Sequence, residues 1–184
     1  DSASLNGLKS GQKITVADDM AATVFTVHAA TGSSDSLSVV LDNETAATDL
    51  DVASIDVQNV ESLTITSSGY SSSVSTTAEN LVDSLTGDAT TITVNGDTSL
   101  DLDLAIDAPT SGSRSVSVDA SGNTAFVNIE AAANSKVSYS ITGTAGKDTL
   151  ALNATGGTLT GGAGNDTLTG GTGKDTISGG AGDD

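Results

Sequence analysis

The sequence predicts an all-β chain, a right-handed parallel β-helix or β-roll solenoid with an irregular β-rich N-terminal part. Three observations predict it. Short runs rich in β-branched residues recur between clusters of Gly, Ser, Asn and Asp, the pattern of strands and turns. The stretch Gly161 to Asp184 reads GGAGNDTLT, GGTGKDTIS and GGAGDD, and a fixed short period means stacked repeats. Aromatic residues are only 2% of the 184, so the core has to be assembled from Val, Leu, Ile and Ala.

Charge narrows the partners. The 24 Asp and Glu against 6 Lys and Arg give a net charge of -18, which argues against nucleic acid or an anionic membrane surface and for a polyvalent cation. Acidity with few aromatics also marks disordered chains, but 36% of residues are hydrophobic and alternate with polar ones in many runs, which favours a fold. With no cysteine, neither disulfides nor thiolate metal sites are open to it. The sequence shows no secretory leader pattern and no apolar run of spanning length, so membrane insertion is not expected. It starts at Asp1 and stops within a repeat at Asp184, and is read as part of a larger protein.

Taken in order, residues 1–142 form a β-rich part, an irregular β-solenoid or, as an alternative, an antiparallel sandwich. Lys13–Val16, Thr23–His28 and Ser36–Leu41 read as strands, with a turn at Thr31–Ser34. Ala53–Val57 and Leu63–Thr66 follow, then a Ser/Thr-rich surface loop from Ser67 to Thr77. Ala78–Leu85 allows one helical turn with Thr77 as its N-cap. Leu100–Asp107 alternates cleanly, with Leu100, Leu102, Leu104 and Ile106 on one face and Asp101, Asp103 and Asp107 on the other, the mark of a strand with one solvated face. Pro109 sits in a turn or linker and a candidate module boundary, and Ser115–Asp119, Ala125–Ile129 and Lys136–Ile141 are further strands. A short echo, Asn59–Ser62 against Asn128–Ala131, favours repeated rungs. His28 ends a β run with no nearby His, Cys or catalytic partner and reads as a structural or surface residue. No Gly-x-Ser-x-Gly elbow is present, so nothing suggests a hydrolase.

Residues 143–184 form the second part. In the nine-residue register GTAGKDTLA begins at Gly143 and a worn copy, LNATGGTLT, at Leu152, with Leu150, Leu159, Leu168 and Ile177 at the eighth place throughout. Glycines at places one, two and four allow a tight turn with converging carbonyls, and the three residues after the Asp make a minimal strand. Two nonapeptides then complete one turn, which stacks Asp148, Asp166 and Asp184 on one edge and leaves Asp175 on the other. Carboxylates one strand spacing apart, roughly 4.8 Å, repel unless a cation lies between them. Calcium accepts such oxygen ligands in loose geometry, whereas magnesium demands a near-octahedral set. With no Cys and a single His, zinc is not expected.

These repeats resemble the RTX (hemolysin-type) family. The resemblance implies several calcium ions between successive turns, held by carbonyls of the Gly and x places and by the Asp. Carried onto this sequence, it implies one site between Gly161, Gly162, Ala163, Gly164, Asp166 and Gly179, Gly180, Ala181, Asp184. A second would join Gly143–Asp148 to Gly161–Asp166, weakened by Thr144 where Gly is expected. Gly170, Thr172 and Asp175 would form part of a site on the opposite edge, where Gly157 stands in place of an Asp. The resemblance also implies export by a type I system and folding outside the cell. Residues 1–142 carry no HExxH motif and are similar in tone to surface-layer proteins of the Caulobacter type. The expected role is therefore not enzymatic: a structural, calcium-dependent surface-layer (S-layer) segment at the extracellular bacterial surface. Its expected partners are copies of itself in a lattice or homo-oligomer, with cell-surface polysaccharide as a further candidate. A segment of a large secreted RTX adhesin is the alternative, and the non-catalytic tail of a secreted RTX enzyme the third.

Overall fold

A computed structural model describes residues 2–17, 20–29, 34–43, 50–69, 80–153 and 156–184. Among these residues sixteen strands follow one another: β1 Ser2–Leu8, β2 Gln12–Val16, β3 Met20–Ala29, β4 Ser36–Asn43, β5 Leu50–Gln58, β6 Ser62–Gly69, β7 Asn80–Gly87 and β8 Thr91–Gly96. They continue as β9 Leu100–Leu104, β10 Arg114–Asn123, β11 Val127–Ala131, β12 Val137–Thr142, β13 Thr149–Leu152, β14 Gly157–Ala163, β15 Thr167–Thr169 and β16 Thr176–Ala181. Odd-numbered strands make one eight-stranded sheet in the order of the chain, and even-numbered strands make the other. Each strand pairs in parallel with the strand two places on, for example β9 with β11 and β10 with β12. The described strands form a β-solenoid, and the antiparallel sandwich does not occur among them.

The core lies between the sheets. Parallel pairing of successive turns brings equivalent residues together, so Leu102 stacks on Ile129 and Ile129 on Leu150, all at 0% exposure. Leu63, Ile92 and Val118 form the matching column of the other sheet. Each such aliphatic side chain stabilises the fold by about 1.5–3 kcal/mol relative to exposure. The eighth place of the nonapeptides joins the same interior. Leu150 and Leu159 are fully buried and Leu168 packs against the core, whereas Ile177 on the terminal rung is 48% exposed.

Most expected strands are present, with two corrections. Ser67–Gly69, expected to open a surface loop, belong to β6, and Ser67 is fully buried. The described part of the expected helical turn, Asn80–Leu85, lies in β7 and is not helical. A bulge between Val82 and Leu85 turns both side chains inward, and that three-residue spacing imitates a helical face. The echo also fails as a structural equivalence, because Asn59–Ser62 is a turn leading into β6 while Asn128–Ala131 lies within β11. Residues 31–33 of the expected turn and 70–77 of the expected Ser/Thr-rich loop lie outside the described residues, as does the side chain of His28. Residues 105–113, including Pro109, form an irregular connection between β9 and β10. Both sheets continue past residue 142 through the pairings of β11 with β13 and β12 with β14.

Candidate calcium site

Connections from even to odd strands lie on one edge of the stack, and those from odd to even on the other. Asp148, Asp166 and Asp184 follow β12, β14 and β16 on the first edge, and Asp175 follows β15 on the second. The pairing register explains what is special about the first edge. Leu50 is aligned with Asn80, Asn80 with Leu100 and Leu100 with Val127. Asn128 is aligned with Thr149 and Thr149 with Thr167, so the residues just before them, Val127, Asp148 and Asp166, extend the same column. An inward position that is apolar at Leu100 and Val127 thus becomes a carboxylate in the nonapeptides.

Backbone amides fix these carboxylates. The Asp148 N–H donates to Asp166 Oδ1 at 2.9 Å, and the Asp166 N–H donates to Asp184 Oδ1 at 3.0 Å, each across 18 residues. Every Asp therefore ties its turn to the one before it. The turns pack so closely that glycine is required between them. A Cβ on Gly164 would stand 2.1 Å from the Gly146 carbonyl oxygen, and one on Gly180 would stand 2.0 Å from that of Gly162. Both glycines have φ near +120° (119° and 118°), a region that L side chains rarely enter.

The gap between Gly161–Asp166 and Gly179–Asp184 fits a hard cation. Asp166 is 5% exposed, and its Oδ2 is buried without a hydrogen-bond partner. That oxygen and the Gly179 carbonyl oxygen converge beside Gly161, 2.2 and 2.5 Å from where a Cβ would lie. The Gly162 and Gly164 carbonyls face the following turn at Gly180 and Gly182. A buried carboxylate oxygen without a donor, with a carbonyl oxygen beside it, is electrostatically unfavourable until a cation joins them. Among the described residues no three His, Cys, Asp or Glu side chains converge. The oxygens that converge beside Gly161 are those of the Asp166 carboxylate and the Gly179 carbonyl, and Asp166 contributes the charge.

The preceding turn differs. Asp148 is 0% exposed, and burial pushes its carboxyl pKa up against the lowering effect of its hydrogen bonds, with the Asp166 charge adding to the rise. Its Oδ1 accepts from the Val127 N–H at 2.8 Å and its Oδ2 from the Thr144 N–H at 2.6 Å. The Thr144 hydroxyl reaches both oxygens, at 2.9 and 3.1 Å, and itself accepts from the Gly146 N–H at 2.8 Å. Thr144 marks its place in the sequence as the departure from Gly, but its hydrogen bonds were not legible there.

The remaining expected residues are spread more widely. Ala163 and Ala181 are exposed partners at the ends of β14 and β16. On the second edge the Gly157 N–H donates to Asp175 Oδ1 at 3.0 Å, the same contact that links the carboxylates of the first edge. Gly170 lies close to Asp175 Oδ2, and the Thr172 carbonyl accepts from the Gly156 N–H at 3.0 Å. At the sixth place of the nonapeptides, this edge holds one Asp where the first edge holds three.

Stacked glycine turns carrying buried carboxylates define a class, a β-roll with calcium-binding turns. Residues 153–184 match the family model of the RTX calcium-binding nonapeptide repeat, with 4 copies. RTX nonapeptide repeats bind calcium, several ions per repeat region, and calcium is the cofactor of this stretch. The match leaves out Gly143–Asp148, which the fold nevertheless stacks in the same column. Comparisons of the chain with curated proteins and with solved structures give no match.

Proposed function

We propose that this chain is a segment of a calcium-dependent surface-layer protein, which folds outside the cell and assembles with copies of itself into a lattice on the bacterial surface. The firm part is coarser: RTX repeats belong to calcium-binding proteins that are typically secreted and extracellular. The structural role rests on one observation. Two parallel sheets run through the sixteen described strands, so the calcium turns extend the aliphatic core of the solenoid instead of closing a separate pocket. Asp166 and the facing carbonyls would hold calcium, which supplies the positive charge those oxygens need. Extracellular calcium modules bind at about 10⁻⁴ to 10⁻³ M, so the turns would remain open during export and close outside. The role is structural and not catalytic, with cell-surface polysaccharide as a candidate anchor.

Electron microscopy of the protein in millimolar calcium tests this reading. Two-dimensional crystals that dissolve in excess chelator are expected. Soluble monomers at saturating calcium would overturn the lattice, and retention on a host glycan without sheets would assign the adhesin instead.

A further inference from the structure

We infer that the turn Gly143–Asp148 closes without calcium, serving as a hydrogen-bonded cap between the aliphatic solenoid and the metal-binding turns. This rests on the calcium reading for the turns beyond it. The observation is a contrast between two carboxylates in one column. Asp166 Oδ2 is buried with no hydrogen-bond partner, whereas Asp148 Oδ2 takes both the Thr144 N–H and the Thr144 hydroxyl. Beside Gly143 the Asp148 Oδ2 and the Gly161 carbonyl oxygen converge as their counterparts do beside Gly161. Here, however, the carboxylate oxygen is already supplied with donors.

The difference traces to one substitution in the repeat. Thr144 stands where the perfect copies have Gly162 and Gly171. Thr144 is only 4% exposed, and its hydroxyl donates to Asp148 while accepting from the Gly146 N–H. The turn one step earlier, between β10 and β11, is also closed by a side chain. Asn123 donates to the Thr98 carbonyl at 3.1 Å and accepts from the Ala125 N–H at 2.8 Å. Along this edge an amide-closed turn is followed by a hydroxyl-closed turn and then by Asp166. Asp148 thus presents a preformed rung whose N–H donates to Asp166 Oδ1 of the next turn, so the metal-dependent segment starts from a template and need not nucleate alone.

Amide exchange by NMR in excess chelator tests the cap. The Val127 and Thr144 amides, which donate to Asp148, should exchange at least about tenfold more slowly than the Asp166 amide. Thr144→Val, which keeps the shape and removes the hydroxyl, should abolish most of that difference. Fast exchange at Val127 and Thr144 until calcium is added would overturn the cap. Titration calorimetry with calcium gives a second measurement. Thr144→Gly should raise the number of bound ions by one, Thr144→Ser should leave it unchanged, and Asp148→Asn should not lower it. A lower count in Asp148→Asn would contradict the proposal. If the native chain bound no calcium, the metal reading would fail, while the exchange result in chelator would still decide the cap.

Discussion

Asp166→Asn separates the two tasks of one carboxylate. Asn retains an oxygen that can accept from the Asp148 N–H, the 2.9 Å bond of Oδ1, so the inter-turn link survives. The variant loses the negative charge and the unpartnered Oδ2 beside Gly161 and Gly179. Its effect should therefore be confined to the calcium-bound state. A site with a dissociation constant of about 10⁻⁴ to 10⁻³ M, held at 10 mM calcium, contributes about 1.4–2.7 kcal/mol. At about 2–4 °C per kcal/mol for a chain of this size, the calcium-dependent melting midpoint should fall by about 3–11 °C. Thermal unfolding followed by far-ultraviolet circular dichroism, in 10 mM calcium and in excess chelator, measures both states. Equal losses in calcium and in chelator would refute the reasoning, because the carboxylate would then be acting as a packing group.

Other perturbations probe separate parts of the account. Gly164→Ala places a Cβ 2.1 Å from the Gly146 carbonyl oxygen at a φ of 119°; it should cost at least about 1–3 kcal/mol and suppress the calcium-induced gain of β signal. Leu102→Ala empties a fully buried position and should cost about 2–5 kcal/mol in urea unfolding, equally with calcium and with chelator. On the outer face of the odd-numbered sheet, burial raises the pKa of Asp101 against the lowering effect of its hydrogen bond from Asn128, with repulsion from Asp83 and Glu130 adding to the rise. Burial likewise raises that of Asp103, with repulsion from Asp101, Glu130 and Asp83 adding to it. A folded-state pKa above the unfolded one means that the folded chain binds more protons as pH falls through it. These two groups therefore oppose folding at neutral pH and release that opposition under mild acid. In chelator, Asp103→Asn should stabilise the chain at pH 7 and flatten the pH dependence, which denaturant curves at several pH values will show.

The nonapeptides were legible because their period is strict. Glycine places, inward aliphatics and Asp columns all followed from the nine-residue register. The alternation from Leu100 to Ile106 was equally plain, since a strand with one buried face has no other way to be written. The rest of residues 1–142 was harder. Its turns differ in length, with Leu50 aligned to Asn80 but Asn80 to Leu100, so no period survives to separate a solenoid from a sandwich. The bulge between Val82 and Leu85 imitated helical spacing. Asn80 and Asn123, both buried, carry turn hydrogen bonds that depend on neighbouring rungs and leave no local pattern. Thr144 was visible as an irregular repeat, but whether it weakens a metal turn or closes one is decided by the distance of its hydroxyl from Asp148.

The central claim is that calcium organises the carboxylate turns at the end of a solenoid whose body is held by its aliphatic core. Hydrogen exchange of the Gly164 and Asp166 amides, which bond across the turns to the Ala181 carbonyl and Asp184 Oδ1, tests it most directly when compared with amides of β9 and β11. The account predicts that β9 and β11 stay protected in both millimolar calcium and excess chelator, while Gly164 and Asp166 are protected only in calcium. Equal protection of Gly164 and Asp166 in chelator would contradict it.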